Sequence, residues 1–150
     1  MGGPGDRRAC PVLPPFSGTL FSVRMHTVYE AAGGETAFRR LVELFYDRVA
    51  VDPVLRPLYP ERDLGPARER LTLFLVQYWG GPATYTEKHG HPRLRMRHVP
   101  FAIGWTEREA WFRHMSAAVV EMRFEAEVTE ALLEYFDAAS RAMINRPANA

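Results

Sequence analysis

Residues 74–100 read Phe74-Leu75-Val76-Gln77-Tyr78-Trp79-Gly80-Gly81-Pro82-Ala83-Thr84-Tyr85-Thr86-Glu87-Lys88-His89-Gly90-His91-Pro92-Arg93-Leu94-Arg95-Met96-Arg97-His98-Val99-Pro100. Phe74, Leu75 and Tyr78 continue a stripe begun at Ala67 and Leu71, the three- and four-residue recurrence of one helix face. Gly80-Gly81-Pro82 ends that helix. Residues 83 to 92 read as polar loop, and Arg93 to His98 leaves room for barely two turns before Pro100. His98 follows Leu94 by four residues, so the two share a face. An imidazole thus closes a short helix clamped by prolines, with apolar Val99 and Phe101 beyond it.

Outward from this stretch the chain stays helical. Upstream, His26 to Ala32 reads as a short helix stopped by Gly33-Gly34, since glycine readily takes the positive φ of a helix end. Phe38, Leu41, Val42, Phe45, Tyr46 and Val49 then share one face until Asp52-Pro53. Val54 to Tyr59 is a short turn closed by Pro60, and Pro66 opens the next helix, where its missing N–H costs nothing. Downstream, Thr106-Glu107-Arg108-Glu109 predicts a capping box, with the threonine as cap and Glu109 reaching back. Trp111, Met115, Ala118, Val119 and Met122 face one way on the helix it opens. The last helix carries Val128, Leu132, Tyr135, Phe136, Ala139 and Met143, and no glycine follows Gly104. The expected architecture is all-α: four main helices with short helical pieces between them.

The 150 residues suffice for one domain with a real core. Residues 1–24 carry four glycines and three prolines besides Pro4 and are read as a flexible extension, leaving 25–147 as the folded domain. A net charge of +1 gives no global field favouring nucleic acid or a membrane surface. The lone Cys10 excludes an internal disulfide framework and a multi-cysteine metal site. No apolar run approaches the roughly 18 residues of a membrane span, and no signal-peptide pattern opens the chain, so a cytoplasmic location is expected.

His98 is the histidine whose surroundings suggest chemistry. A neutral imidazole aimed into an apolar slot from a rigid element is what proximal haem ligation requires. Nearby arginines would suit haem propionates, because guanidinium grips carboxylate in a bidentate fork. The alternative is a histidine that merely caps a helix C-terminus, where His⁺ is favourable. Phenol and indole groups at Tyr46 and Trp111 lie on core-facing stripes and need partners when buried, either within the core or on a polarised ligand.

Phe45-Tyr46, Tyr59-Pro60, Gln77-Tyr78-Trp79-Gly80-Gly81-Pro82, His91-Pro92-Arg93-Leu94-Arg95-Met96-Arg97-His98 and Trp111 resemble, in content and order, the group II truncated haemoglobins (truncated haemoglobin O type). The likeness spans about residues 25 to 147. It implies a truncated globin, a two-over-two helical sandwich around haem b (iron protoporphyrin IX). By this resemblance His98 is the proximal iron ligand, and Trp111 and Tyr46 are distal hydrogen-bond donors. Tyr59 packs against the haem plane and adds a third hydroxyl. Ala67 stands where many globins place a distal histidine or glutamine, leaving an open route past the helix. Leu71, Phe74 and Met115 line the pocket, and Arg70, Arg95 and Tyr85 meet the propionates.

The resemblance also implies dioxygen and other diatomic gases as ligands. Two or three donors in a dry pocket each hold a polarised ligand by roughly 1.5–3 kcal/mol, which slows its release. Such a protein suits oxygen, nitric oxide or peroxide redox chemistry, as a nitric oxide dioxygenase or a peroxidase-like catalyst, better than transport. That chemistry needs an unidentified reductase. The other readings are an oxygen store or sensor without turnover and a haem-free helical interaction module. The size and apolar fraction permit a homodimer. His89-Gly90-His91 reads as a solvated turn rather than a metal site, because only Glu87 stands near as a third ligand. The basic cluster of Lys88, Arg93, Arg95 and Arg97 lacks a recognition-helix pattern, so no nucleic acid is expected.

Overall fold

A computed structural model of the chain describes residues 27–147. The expected extension at 1–24 and Cys10 lie outside the described residues. Helices α1 (Val28–Ala32), α2 (Gly34–Val49), α3 (Gly65–Tyr78), α4 (Thr84–His89), α5 (Leu94–His98), α6 (Trp105–Met122) and α7 (Ala126–Ala142) follow in order. A 3₁₀ turn at Arg56–Leu58 joins α2 to α3. No strand occurs among the described residues. Helix α2 packs on α3 and α6, and α6 packs on α7, which gives the two helix pairs of the sandwich.

The stripes predicted from spacing form the core. Phe38, Leu41, Val42, Phe45 and Val49 of α2 are fully buried against Met115, Ala118 and Val119 of α6 and Val128, Leu132 and Phe136 of α7. Burying one such side chain contributes about 1.5–3 kcal/mol. Helix α1 ends as expected at Gly33, whose φ of 115° is left-handed, and α2 begins one residue later. The Gly80-Gly81 pair does more than stop α3. A Cβ at Gly80 would lie 2.7 Å from the Cβ of Thr27, and one at Gly81 would lie 2.8 Å from the Tyr29 ring. The missing side chains let α1 dock against the end of α3, where the Tyr29 amide donates to the Trp79 carbonyl at 3.0 Å.

Two local expectations are corrected. Residues 83 to 92 are not all loop: Thr84–His89 is a helix, ended by Gly90 with φ 80°. Its cap comes from another helix, and so is invisible in the local sequence. The Gln77 side-chain carbonyl accepts the Thr86 amide at 2.9 Å, and the Gln77 amide donates to the Thr86 hydroxyl at 2.7 Å. The capping box is also displaced. Helix α6 starts at Trp105, its cap residue is Gly104, and Glu107 rather than Glu109 reaches back to the Gly104 amide at 2.8 Å.

Candidate functional site

Between the helix pairs lies a cavity of about 510 Å³. Tyr46, Tyr59, Ala67, Arg70, Leu71, Phe74, Tyr85, His98 and Trp111 all line it. Met115 is fully buried in the core and is not part of the lining. Arg95 is exposed and also absent from the lining, whereas Arg97 is part of it. The two arginines are two residues apart on a helix of barely more than one turn, so they point to different sides. Sequence reading also passed over Leu55, Glu61, Arg108 and Met143, which the tertiary fold brings to the wall.

His98 ends α5 half-buried, with its Nδ1 2.6 Å from the Leu94 carbonyl oxygen one turn back. A carbonyl can only accept, so Nδ1 carries the proton and the lone pair is left on Nε2. The segment beyond His98 is held from the far end of the chain. The Asn145 amide donates to the carbonyls of Phe101 (2.9 Å) and His98 (3.2 Å), and its side-chain oxygen accepts the Ile103 amide at 2.9 Å.

Three polar aromatics meet elsewhere on the wall. The Tyr46 hydroxyl and the Trp111 indole N–H both make close polar contact with the Tyr59 hydroxyl. Ring centroids stand 5.6 Å apart for Tyr46–Tyr59 and 5.1 Å for Phe45–Trp111, both edge-on. Burial pushes the Tyr46 phenol well above its usual range, and the Tyr59 charge and hydrogen bond add to the rise. Burial raises Tyr59 as well, against the lowering by its contacts with Tyr46 and Trp111 and by the Arg70 charge. Both phenols are therefore neutral donors across the ordinary pH range.

Charged groups gather at the rim. Arg70 stands 3.8 Å from Glu61, and both are partly open to water. The Arg97 guanidinium donates to the carbonyls of His89 (2.7 Å) and His91 (2.9 Å) and lies 5.7 Å over the Tyr85 ring. Arg108 is a buried cation in the wall, satisfied by Ser140 at 2.9 Å and by the side chain and carbonyl of Asp137.

A mostly apolar slot, an imidazole with an available Nε2 and flanking guanidinium groups is a donor set that suits an iron porphyrin with two carboxylates. Helical sandwich and pocket together define a globin, and the family described as bacterial-like globin matches residues 27–145. The chain belongs to that family and, within it, to the group II truncated haemoglobins. The chain is 42% identical to a group 2 truncated haemoglobin of Bacillus subtilis over 79% of its length and 88% of the relative's. A thermostable haemoglobin from Thermobifida fusca is 60% identical with a TM-score of 0.79, covering 81% of this chain and 98% of that one. The haemoglobin of Chloroflexus aurantiacus is 53% identical with a TM-score of 0.78, covering 80% and 98%. The family implies a haem cofactor and diatomic gases as ligands. No described helix is long and apolar enough to cross a membrane.

Proposed function

We propose that this chain binds haem b through His98 and holds dioxygen and other diatomic gases for redox chemistry. The single observation that carries the reading is that His98 and the Tyr46–Tyr59–Trp111 cluster line one cavity. His98 coordinates through Nε2, its ring fixed by the Leu94 carbonyl. Arg70, Arg97 and Tyr85 take the carboxylates, with Arg97 in the role that the sequence suggested for Arg95. When bound, the haem supplies an iron centre that takes diatomic gases and exchanges electrons with a separate reductase.

The chain's own residues set what happens to such a gas. Tyr46, Tyr59 and Trp111 form one cluster of O–H and N–H groups that is directed at a polarised ligand. Leu55, Leu71 and Phe74 exclude water, so each hydrogen bond acts in a low-dielectric site. Ala67 leaves the flank of α3 without a bulky side chain, and ligand stabilisation falls to the aromatic cluster. Slow release and firm polarisation favour turnover against nitric oxide or peroxide over carriage. One relative of known structure, from Bacillus subtilis, is described as oxygen-avid, which is in keeping with this reading.

The test is optical and kinetic. Purified protein given haem is expected to show a Soret band and distinct ferric, deoxy and carbonmonoxy spectra. Mixing the oxygenated protein with nitric oxide is expected to yield nitrate rapidly. The absence of a Soret band overturns the haem assignment, and absent nitrate formation reduces the function to storage or sensing.

A further inference from the structure

Asp52 is a carboxylate buried to 7% exposure, and it makes contacts to two parts of the cavity wall at once. Its Oδ1 accepts the amides of Val54 (2.7 Å) and Leu55 (2.9 Å), starting the turn that leads to Tyr59. Its Oδ2 lies 2.5 Å from Nε2 of His114 on α6. The Arg113 guanidinium stands 3.7 Å away and is largely exposed. His114 follows Trp111 by three residues, so the two occupy neighbouring positions on one side of α6. The other ring nitrogen of His114, Nδ1, is buried with no hydrogen-bond partner in the structure. The turn itself is stiff at its far end. The Arg56 guanidinium donates to the carbonyls of Tyr59 (3.0 Å), Glu61 (2.8 Å) and Arg62 (2.9 Å).

The chain between Asp52 and Tyr59 is therefore braced at both ends. The Asp52–His114 hydrogen bond ties the start of this braced segment to α6, with the exposed Arg113 guanidinium beside it. A buried carboxylate stays in place only while its partners satisfy it, so the contact is position-determining rather than decorative. We infer that Asp52 and His114 are positioning residues that fix the Tyr59 hydroxyl against the Trp111 indole, and so set the hydrogen bonds offered to a gas ligand. The inference rests on the haem reading given above. Neither residue lines the cavity, so the effect is transmitted through Tyr59 and Trp111.

His114→Leu, His114→Gln and, in reserve, His114→Phe separate this role from general stability. Leucine cannot donate to Asp52. Glutamine can, through its amide, and is the conservative rescue. In His114→Leu, oxygen release is expected to quicken about five- to tenfold, the loss of roughly one ordinary hydrogen bond. The carbon monoxide stretch is expected to split toward a less polar band, while the iron–histidine stretch stays at its wild-type frequency. In the haem-free protein the Trp111 indole proton resonance is expected to shift. His114→Gln is expected to restore all three. If His114→Leu does not fold, His114→Phe supplies the same readouts, because it fills the space of the imidazole and offers Asp52 no donor. Wild-type release rates and bands in the leucine variant, or in His114→Phe where that is the one that folds, overturn the inference. In that event Trp111→Phe tells the two failures apart: if it alters release, the haem reading stands and only the positioning role falls, and if it does not, the distal reading itself is wrong.

Discussion

His98 Nδ1 and the Leu94 carbonyl oxygen, one helical turn apart, are separated by 2.6 Å. The contact fixes both the tautomer and the plane of the ring, because the donor must be Nδ1–H. A metal-binding histidine generally gives its second nitrogen to such an acceptor, which orients the ring and raises its basicity.

Replacing His98 with alanine is therefore expected to abolish stable five-coordinate haem while leaving the far-ultraviolet helical signal near wild type. Haem titration followed at the Soret band checks this. A variant that retains a histidine-type ferrous spectrum would remove residue 98 from the iron.

The three polar aromatics meet at Tyr59, which is in polar contact with both Tyr46 and Trp111. Trp111→Phe and Tyr59→Phe are expected to speed oxygen release about ten- to hundredfold, matching the loss of about 1.5–3 kcal/mol for each charge-assisted bond. Tyr46→Phe is expected to act in the same direction but less strongly. Stopped-flow displacement of oxygen by carbon monoxide gives the ranking.

Acid stability turns on Asp52. The His114 hydrogen bond lowers its carboxyl below the usual range, burial opposes this, and the Leu55 and Val54 amides add to the lowering. A carboxyl depressed in the folded state contributes stability that is present above its unfolded pKa and is lost as pH falls through the folded one. Urea unfolding midpoints are expected to fall steeply below about pH 4 in the wild type, and less steeply in Asp52→Asn. Parallel slopes would show that the acid limb belongs to other carboxylates.

Gly81→Ala is expected to cost about 1–3 kcal/mol, the usual range for overpacking a filled site. Its new Cβ would press on both the Tyr29 ring and a Val76 methyl at 2.8 Å. Denaturant titration measures the loss, and Gly90→Ala is the comparison. At Gly90 no neighbouring atom is within 4 Å, so only the backbone strain of φ 80° remains.

Much of the fold was legible in the sequence, for a definite reason. Long stripes such as Phe38 to Val49 repeat their period over several turns, and periodicity is a signal that accumulates with length. Helix α4 was missed because six residues carry too little of that signal, and its cap, Gln77, lies on α3. Which of Arg95 and Arg97 reaches the cavity wall was likewise not legible locally. A short helix with φ 40° at Arg93 has an entry angle that spacing does not reveal, and that angle decides which arginine meets the cavity. His98 was singled out by its setting between prolines, but the Leu94 contact that gives it a defined tautomer is visible only in three dimensions. Asp52 read merely as a helix stop, since its partner His114 is 62 positions away.

The Asn145 brace has a bearing on how the protein is made. Residue 145 is synthesised 47 positions after His98, yet it fastens the peptide immediately following that ring. On the ribosome, α5 is thus synthesised before its fastening, which is added only when nearly the whole globin domain has been translated. With His98 holding haem as proposed, capture in its final geometry is a late event in biogenesis, and a nascent chain stalled before residue 145 would carry that histidine on an untethered strap.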